Sequence, residues 1–171
     1  MEFWDLLDEN RNKLGKTHVR GVELNRGEYH VVVEVFTINK DGRILLTQRD
    51  PDKTHPLLWE TTGGSITVGE TSVQGAAREL EEETGLIAAP EQLIKIGEIK
   101  YGNCFRDSFI WKSPEMIDPS AMNLQEGEVC DAKLVTFEEL LEMDRTGLIV
   151  PHLLDRCRLY HEDLQQMILS K

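Results

Sequence analysis

Two spacings of apolar residues run through the chain, one of period two and one of three to four, and they divide it into strands and helices. Between Tyr29 and Ile38, Val31, Val33 and Val35 fall on one side of an extended segment and Val32, Phe36 and Ile38 on the other, which predicts a strand covered on both faces. Glu34 interrupts this run, and a carboxylate there is expected near a rim or cleft rather than sealed in a core. Asn39-Lys40-Asp41-Gly42 signals a turn into a second strand over 43–49, a hairpin pattern. Residues 50–58, with Pro51 and Pro56, read as a loop. Residues 59–66 read as an extended segment in which Gly63-Gly64 permits close approach to something else. A helix is predicted from Thr71 or Ser72, with Val73, Ala76, Ala77 and Leu80 at helical spacing and Gly85 as its C-cap. Strands follow over 93–101 and 104–111, then a polar loop over 112–127, a strand over 129–135 and a short helix over 137–143. A single last helix is expected over 151–168, where Leu153, Cys157, Tyr160, Leu164 and Met167 form a stripe that docks on the sheet. At the other end, residues 2–15 are expected to be an arm or short turn, 17–24 an edge strand and 25–28 a turn.

Length and composition narrow the class. At 171 residues and 40% hydrophobic content, the chain suits one domain over 1–171 with a sizeable core, its first 28 residues forming an arm and edge strand and 151–170 a C-terminal helix. The longest apolar run, Val31 to Ile38, is too short to span a bilayer, and the acidic opening Met1-Glu2-Phe3-Trp4-Asp5 lacks the features of a secretory signal. Cys104, Cys130 and Cys157 are odd in number and widely spaced, which suggests free thiols in a reducing compartment. A cytoplasmic protein is expected, with no membrane partner. The net charge of −12 argues against a duplex nucleic-acid binder. It does not exclude a phosphorylated small molecule, because bound cations invert the field of an acidic site.

The most informative stretch runs from Gly64 to Leu86. Within the predicted helix, Glu79, Glu82 and Glu83 stand at i, i+3 and i+4 and share one face. Like charges so placed repel one another by a few tenths of a kcal/mol per exposed pair, roughly, and a divalent cation relieves that repulsion. Magnesium takes hard oxygen ligands and binds substrate phosphates as well. Taken alone, the glutamates are equally consistent with a solvated acidic face, the role expected of Glu81. The joint spacing of Gly64, Glu70, Arg78, Glu79, Leu80, Glu82, Glu83, Gly85 and Leu86 adds a second argument: it resembles the Nudix box, G-x5-E-x7-R-E-U-x-E-E-x-G-U, at every defined position.

The resemblance to the Nudix (MutT-like) hydrolases extends outward through the strands, the loop-helix-loop and the C-terminal helix. It implies an alpha/beta/alpha sandwich with a mixed sheet. It also implies hydrolysis of a diphosphate bond in a nucleoside diphosphate linked to another group, or in a related small molecule. Glu79, Glu82 and Glu83 would bind the essential magnesium, for which manganese is the expected substitute, and the Gly63 carbonyl would add a ligand. Glu70 and Arg78 would support the loop against the helix. Glutamates that serve as general base vary in such enzymes. Glu126 is the first candidate here, Glu128 the second and Glu115 a distant third, with Glu83 the candidate already on the helix. For the substrate, Arg49 is a candidate phosphate contact, and Trp59, Tyr101, Phe105 and Trp111 are candidates for stacking on a base. His18 and His30 are expected to be structural. Relatives are often dimers, so a homodimer is a possible partner state.

The segments Trp4 to Asn10, Gly15 to Gly21 and Tyr29-His30 resemble a Nudix subgroup similar to isopentenyl-diphosphate isomerase. This chain has Gly64 where that likeness would place the catalytic cysteine, and Cys104 does not fill the position. Isomerisation and a non-catalytic nucleotide-binding module are therefore the alternatives to hydrolysis.

Overall fold

The computed structural model describes residues 2–170. The elements, in chain order, are β1 (Phe3–Leu7), β2 (Lys13–Val19), β3 (His30–Ile38), β4 (Ile44–Arg49), β5 (Trp59–Glu60), β6 (Thr62–Ser65), α1 (Ser72–Thr84), β7 (Ile94–Tyr101), β8 (Cys104–Lys112), β9 (Val129–Val135), α2 (Phe137–Arg145), α3 (Leu153–Leu159) and α4 (His161–Leu169). The main sheet runs β5-β4-β3-β8-β7, with β6 added on β3 and β9 on β4. It is mixed: β3 and β8 are parallel and the other pairs antiparallel. One face carries α1, where Val33, Val35, Phe109 and Trp111 meet Ala76 and Leu80. The other carries α2, α3 and α4, where Phe36, Ile38, Ile44 and Ile110 meet Leu140, Leu153 and Leu164. The result is the expected alpha/beta/alpha sandwich, with β3 covered on both sides as its alternation requires.

Three expectations are corrected. The strands β3 and β4 are joined by the expected turn, but they pair only at Ile38 and Ile44 and then diverge. The backbone groups left over on β3 pair with β6, and those on β4 with β9 and β5. Second, the N-terminal segment is a two-stranded sheet of its own, β1 antiparallel to β2, rather than an arm followed by an edge strand. It is docked by the Trp4 ring, stacked on His30 at 4.0 Å, and by Arg11, which donates to both carboxylate oxygens of the fully buried Asp107. Third, the last helix is two helices that meet at Tyr160. The expected stripe does dock on the sheet, but the Tyr160 ring lies against Gly97 of β7, where a Cβ would come within 2.3 Å of it. The chain bends around that contact.

Candidate functional site

The helix α1 is fixed at both ends by local chemistry. At its start, the Thr71 hydroxyl accepts from the Gln74 N–H, and the Gln74 side-chain oxygen accepts from the Thr71 N–H, a capping box. At its end, Gly85 is left-handed with φ 73° and donates to the Glu81 carbonyl. Leu80 and Ala76 are fully buried against the sheet. That rotation turns Glu79 and Glu83 toward β6 and leaves Glu81 exposed.

Glycines bring β6 close to these carboxylates. A Cβ on Gly64 would stand 2.5 Å from the Glu79 carboxylate, and one on Gly63 would stand 2.2 Å from the Val33 carbonyl oxygen. The Gly63 N–H donates to Glu83 Oε2 at 3.3 Å. Arg78 ties the assembly together. Its Nε and Nη2 donate to the two oxygens of Glu70 at 2.8 and 3.0 Å, and Nη2 also donates to the Ser65 carbonyl at 3.1 Å. Its Nη1 donates at 2.9 Å to both Glu79 and Glu82. Glu70 in turn accepts from the Thr67 N–H at 2.8 Å. A planar fork with five donors is suited to such a junction, which a lysine cannot reproduce.

Electrostatics distinguish the three helix glutamates. Burial, and then the neighbouring carboxylates of Glu60 and Glu79, push the Glu83 carboxyl up to about 8, against the opposing influence of Lys53 and the Gly63 N–H. Burial also raises Glu79, although Arg78 works against it. Glu82 is different: its side chain is 46% exposed and paired with Arg78. Among the described residues no group of three or more His, Cys, Asp or Glu side chains is gathered to hold a metal ion. The donors nonetheless fit a hard cation: they are carboxylate oxygens whose mutual repulsion is uncompensated at Glu83.

Beside β6 opens a cleft of about 710 Å³ lined by Gly63, Gly64, Glu60, Lys53 and Glu128, among others, and Arg20 reaches it from the end of β2. The other predicted residues divide sharply. Glu128 faces the cleft and is ion-paired to Lys53, whereas Glu126 is exposed and outside the lining. Glu115 is exposed and lies 4.0 Å from Lys40. Arg49 lines the cleft, donating to Glu60 at 2.7 Å and to the Thr54 carbonyl at 2.5 Å. Trp59 is not available to a substrate: it is buried in the core under α2 and α3, with Lys133 over its ring. Phe105 and Trp111 are buried too, and of the four aromatic candidates Tyr101 alone is exposed and lines a cavity. His30 and His18 are engaged in the docking of the N-terminal hairpin, His30 beneath Trp4 and His18 at 2.9 Å from the Val22 carbonyl.

Several residues at the cleft were not anticipated. Glu60, Lys53 and Arg20 are brought there by β5, the loop before it and the N-terminal hairpin, with no spacing to signal them. Glu34 is buried, at 2% exposure, yet lies at the cleft as expected. It is tolerated because Ser108 donates to it at 2.6 Å, Arg156 Nε at 2.8 Å and Thr61 at 3.3 Å. None of the three cysteines lines the cleft.

These features match known proteins. The NUDIX domain model matches residues 28–154. An uncharacterised Nudix hydrolase of Listeria monocytogenes is 38% identical over 89% of this chain and 90% of its own length. An isopentenyl-diphosphate Delta-isomerase of Streptomyces avermitilis is 30% identical over 81% of this chain and 73% of its own. Among solved structures, a Deinococcus radiodurans protein superposes with a TM-score of 0.74 at 21% identity, covering 93% of this chain and 99% of that one. The chain belongs to the Nudix hydrolase family.

Proposed function

We propose that this Nudix-type pyrophosphohydrolase cleaves a phosphoanhydride bond in a nucleoside diphosphate linked to another group, or in a related small diphosphate, with a divalent cation, magnesium or manganese, held by Glu79, Glu82, Glu83 and the Gly63 carbonyl. The observation that supports this most is the meeting of β6 with α1. Gly64 lets the backbone touch the Glu79 carboxylate and the Gly63 N–H reaches Glu83, so the strand that lines the cleft meets two carboxylates of one rigid helix. When bound, the cation neutralises charge that builds on the transferred phosphoryl group. The chain's own residues do the rest. Glu128, which lines the cleft as Glu126 does not, takes the proton of the attacking water in this reading, with Lys53 paired to its carboxylate. Arg20, Arg49 and Lys53 supply positive charge for the substrate phosphates. Glu70 and Arg78 hold the glycine loop against the helix. No domain partner or membrane surface is needed for this chemistry, and no helix among the described residues is long and apolar enough to cross a membrane.

The likeness to an isomerase raises isomerisation as a second reading. Gly64 stands where that chemistry requires a cysteine, and no free thiol faces the cleft. Product analysis separates the two: a released phosphate or monophosphate means hydrolysis, and unchanged mass means isomerisation. A panel of cleavable diphosphates with magnesium tests the activity, and Glu82→Gln tests the assignment. That variant is expected to lose at least about a hundredfold in turnover, about 2.7 kcal/mol of barrier, with its circular dichroism spectrum unchanged. Wild-type turnover in Glu82→Gln would remove Glu82 from the proposed cation site.

A further inference from the structure

A second cavity, of about 430 Å³, adjoins the cleft and shares with it Arg49, Thr54, Glu60, Arg106 and Arg156. Its remaining wall comes from His55, β7 and α3 with the residues before it, including Ile99, Tyr101, His152 and Asp155, whose exposed carboxylate is paired with His152 and Arg158. The junction between the two cavities is an ion cluster with unequal numbers of charges. Arg156 Nε donates to Glu34 at 2.8 Å, and Arg106 Nη1 lies 3.7 Å from the same oxygen. Two guanidinium groups therefore face one buried carboxylate, an excess of one positive charge in a chain whose net charge is −12.

The donors of these arginines are largely unspent. Arg156 has a side chain only 9% exposed, and Nε is the one side-chain atom of Arg156 in a hydrogen bond among the described residues. Both Nη nitrogens are left for the cavities that Arg156 lines. Arg106, at 27% side-chain exposure, makes only the long contact to Glu34. Such forks match the paired oxygens of a phosphate or carboxylate. Arg49 does not share this property, because Glu60 and Thr54 occupy it.

We propose that Arg106 and Arg156 form an anion subsite, and that the preferred substrate carries a further phosphoryl or carboxylate group in addition to the diphosphate at α1. The inference rests on the proposed hydrolytic reading of the neighbouring cleft. The substrate then bridges both cavities. Its diphosphate lies by β6, its second anion lies over Glu34, and its organic part lies in the side pocket against Tyr101. Glu34 acts as a positioning residue: its one carboxylate fixes the Arg156 fork from behind while leaving a net positive charge toward the ligand.

The test uses matched pairs of substrates with magnesium on the full chain. One pair differs by a 3′-phosphate against a 3′-hydroxyl on a nucleoside diphosphate ester, and another by a uronate against a neutral hexose on a sugar nucleotide. In the wild type, kcat/KM is expected to favour the more anionic member of at least one pair by tenfold or more, and the pair that responds identifies the anion as phosphate or carboxylate. Arg106→Gln, at the half-exposed partner, is expected to abolish that preference while leaving the less anionic member within about threefold. Arg156→Lys is expected to reduce it while retaining the charge opposite Glu34. Equal rates for both members of every pair in the wild type would overturn the inference. So would an equal fall on both members in Arg106→Gln, which would mark the arginines as structural. Either result leaves the hydrolytic reading intact, since that reading fails instead if no cleavable diphosphate releases phosphate or monophosphate with magnesium.

Discussion

The acidic and basic walls of the site are built in opposite ways. The acidic wall lies behind β6, whose Gly63, Gly64 and Ser65 line the cleft while Glu79, Glu82 and Glu83 do not; it comes from one uninterrupted segment, Gly63 to Gly85, in which helix geometry aligns the glutamates and Gly64 sets the approach of the strand to Glu79. The basic wall is collected from four places in the chain: Arg20 after β2, Arg49 on β4, Arg106 on β8 and Arg156 on α3. The first is rigid and local, as a cation site demands. The second depends on the whole fold, because Arg106 and Arg156 meet only where the parallel pairing of β3 with β8 puts Val32 beside Arg106 and Glu34 beside Ser108. A fold of this kind can thus keep the reaction's machinery in one segment while substrate contacts come from elements far apart in sequence.

The largest expected effect is at the seam between the walls. Glu128→Gln is expected to lower kcat by about a hundredfold or more, the range of a lost general base, with KM nearly unchanged; steady-state kinetics checks it. A comparable loss in Glu126→Gln, with Glu128→Gln near wild type, would move the base to the exposed position and detach it from the basic wall.

A smaller effect is expected within the acidic wall. Arg78→Lys keeps the charge but cannot donate at once to Glu70, Glu79, Glu82 and the Ser65 carbonyl. We expect a fall of about tenfold in kcat and a loss on the order of 1–3 kcal/mol in stability, read by denaturant unfolding. An unchanged protein would show that the loop holds its position without the arginine.

The smallest effect is a pH dependence that belongs to the acidic wall alone. The folded Glu83 carboxyl titrates at about 8, above its ordinary value of 4.5. Its raised value means that the neutral form stabilises the fold fully below about 4.5, and that this contribution is lost as pH rises to about 8 and beyond. Relative to Glu83→Gln, the cation-free wild type should therefore lose thermal stability across that interval, and added magnesium should flatten the difference. Parallel melting curves for the two proteins from pH 5 to 9 would contradict the burial-driven shift.

The same contrast explains what could be read from the sequence. The extent of α1, its Thr71 and Gly85 ends and its buried Leu80 follow from spacing and capping, which are local. Trp59 misled because nothing near it in sequence tells which way an extended residue points; its backbone bridge to Ile149 turns it under the helices. The choice between Glu126 and Glu128 was equally illegible, since Gly127 between them takes φ 78° and the turn decides which carboxylate faces inward. The periodic stripe of the last helix was readable, but its break at Tyr160 was not, because the cause lies in Gly97 on a distant strand. Glu34 is at the cleft as expected, but its partners Ser108 and Arg156 are supplied by other elements and leave no local signal.

The central claim, that the carboxylates of α1 hold the cation against a diphosphate, is tested most directly by manganese binding. Paramagnetic resonance titrations in the presence of a non-hydrolysable diphosphonate analogue would give the affinity of wild type, Glu79→Gln, Glu82→Gln, Glu83→Gln and Arg106→Gln. The account predicts at least about tenfold weaker binding, about 1.4 kcal/mol, in each glutamate variant and wild-type affinity in Arg106→Gln. Wild-type affinity in all three glutamate variants would contradict it.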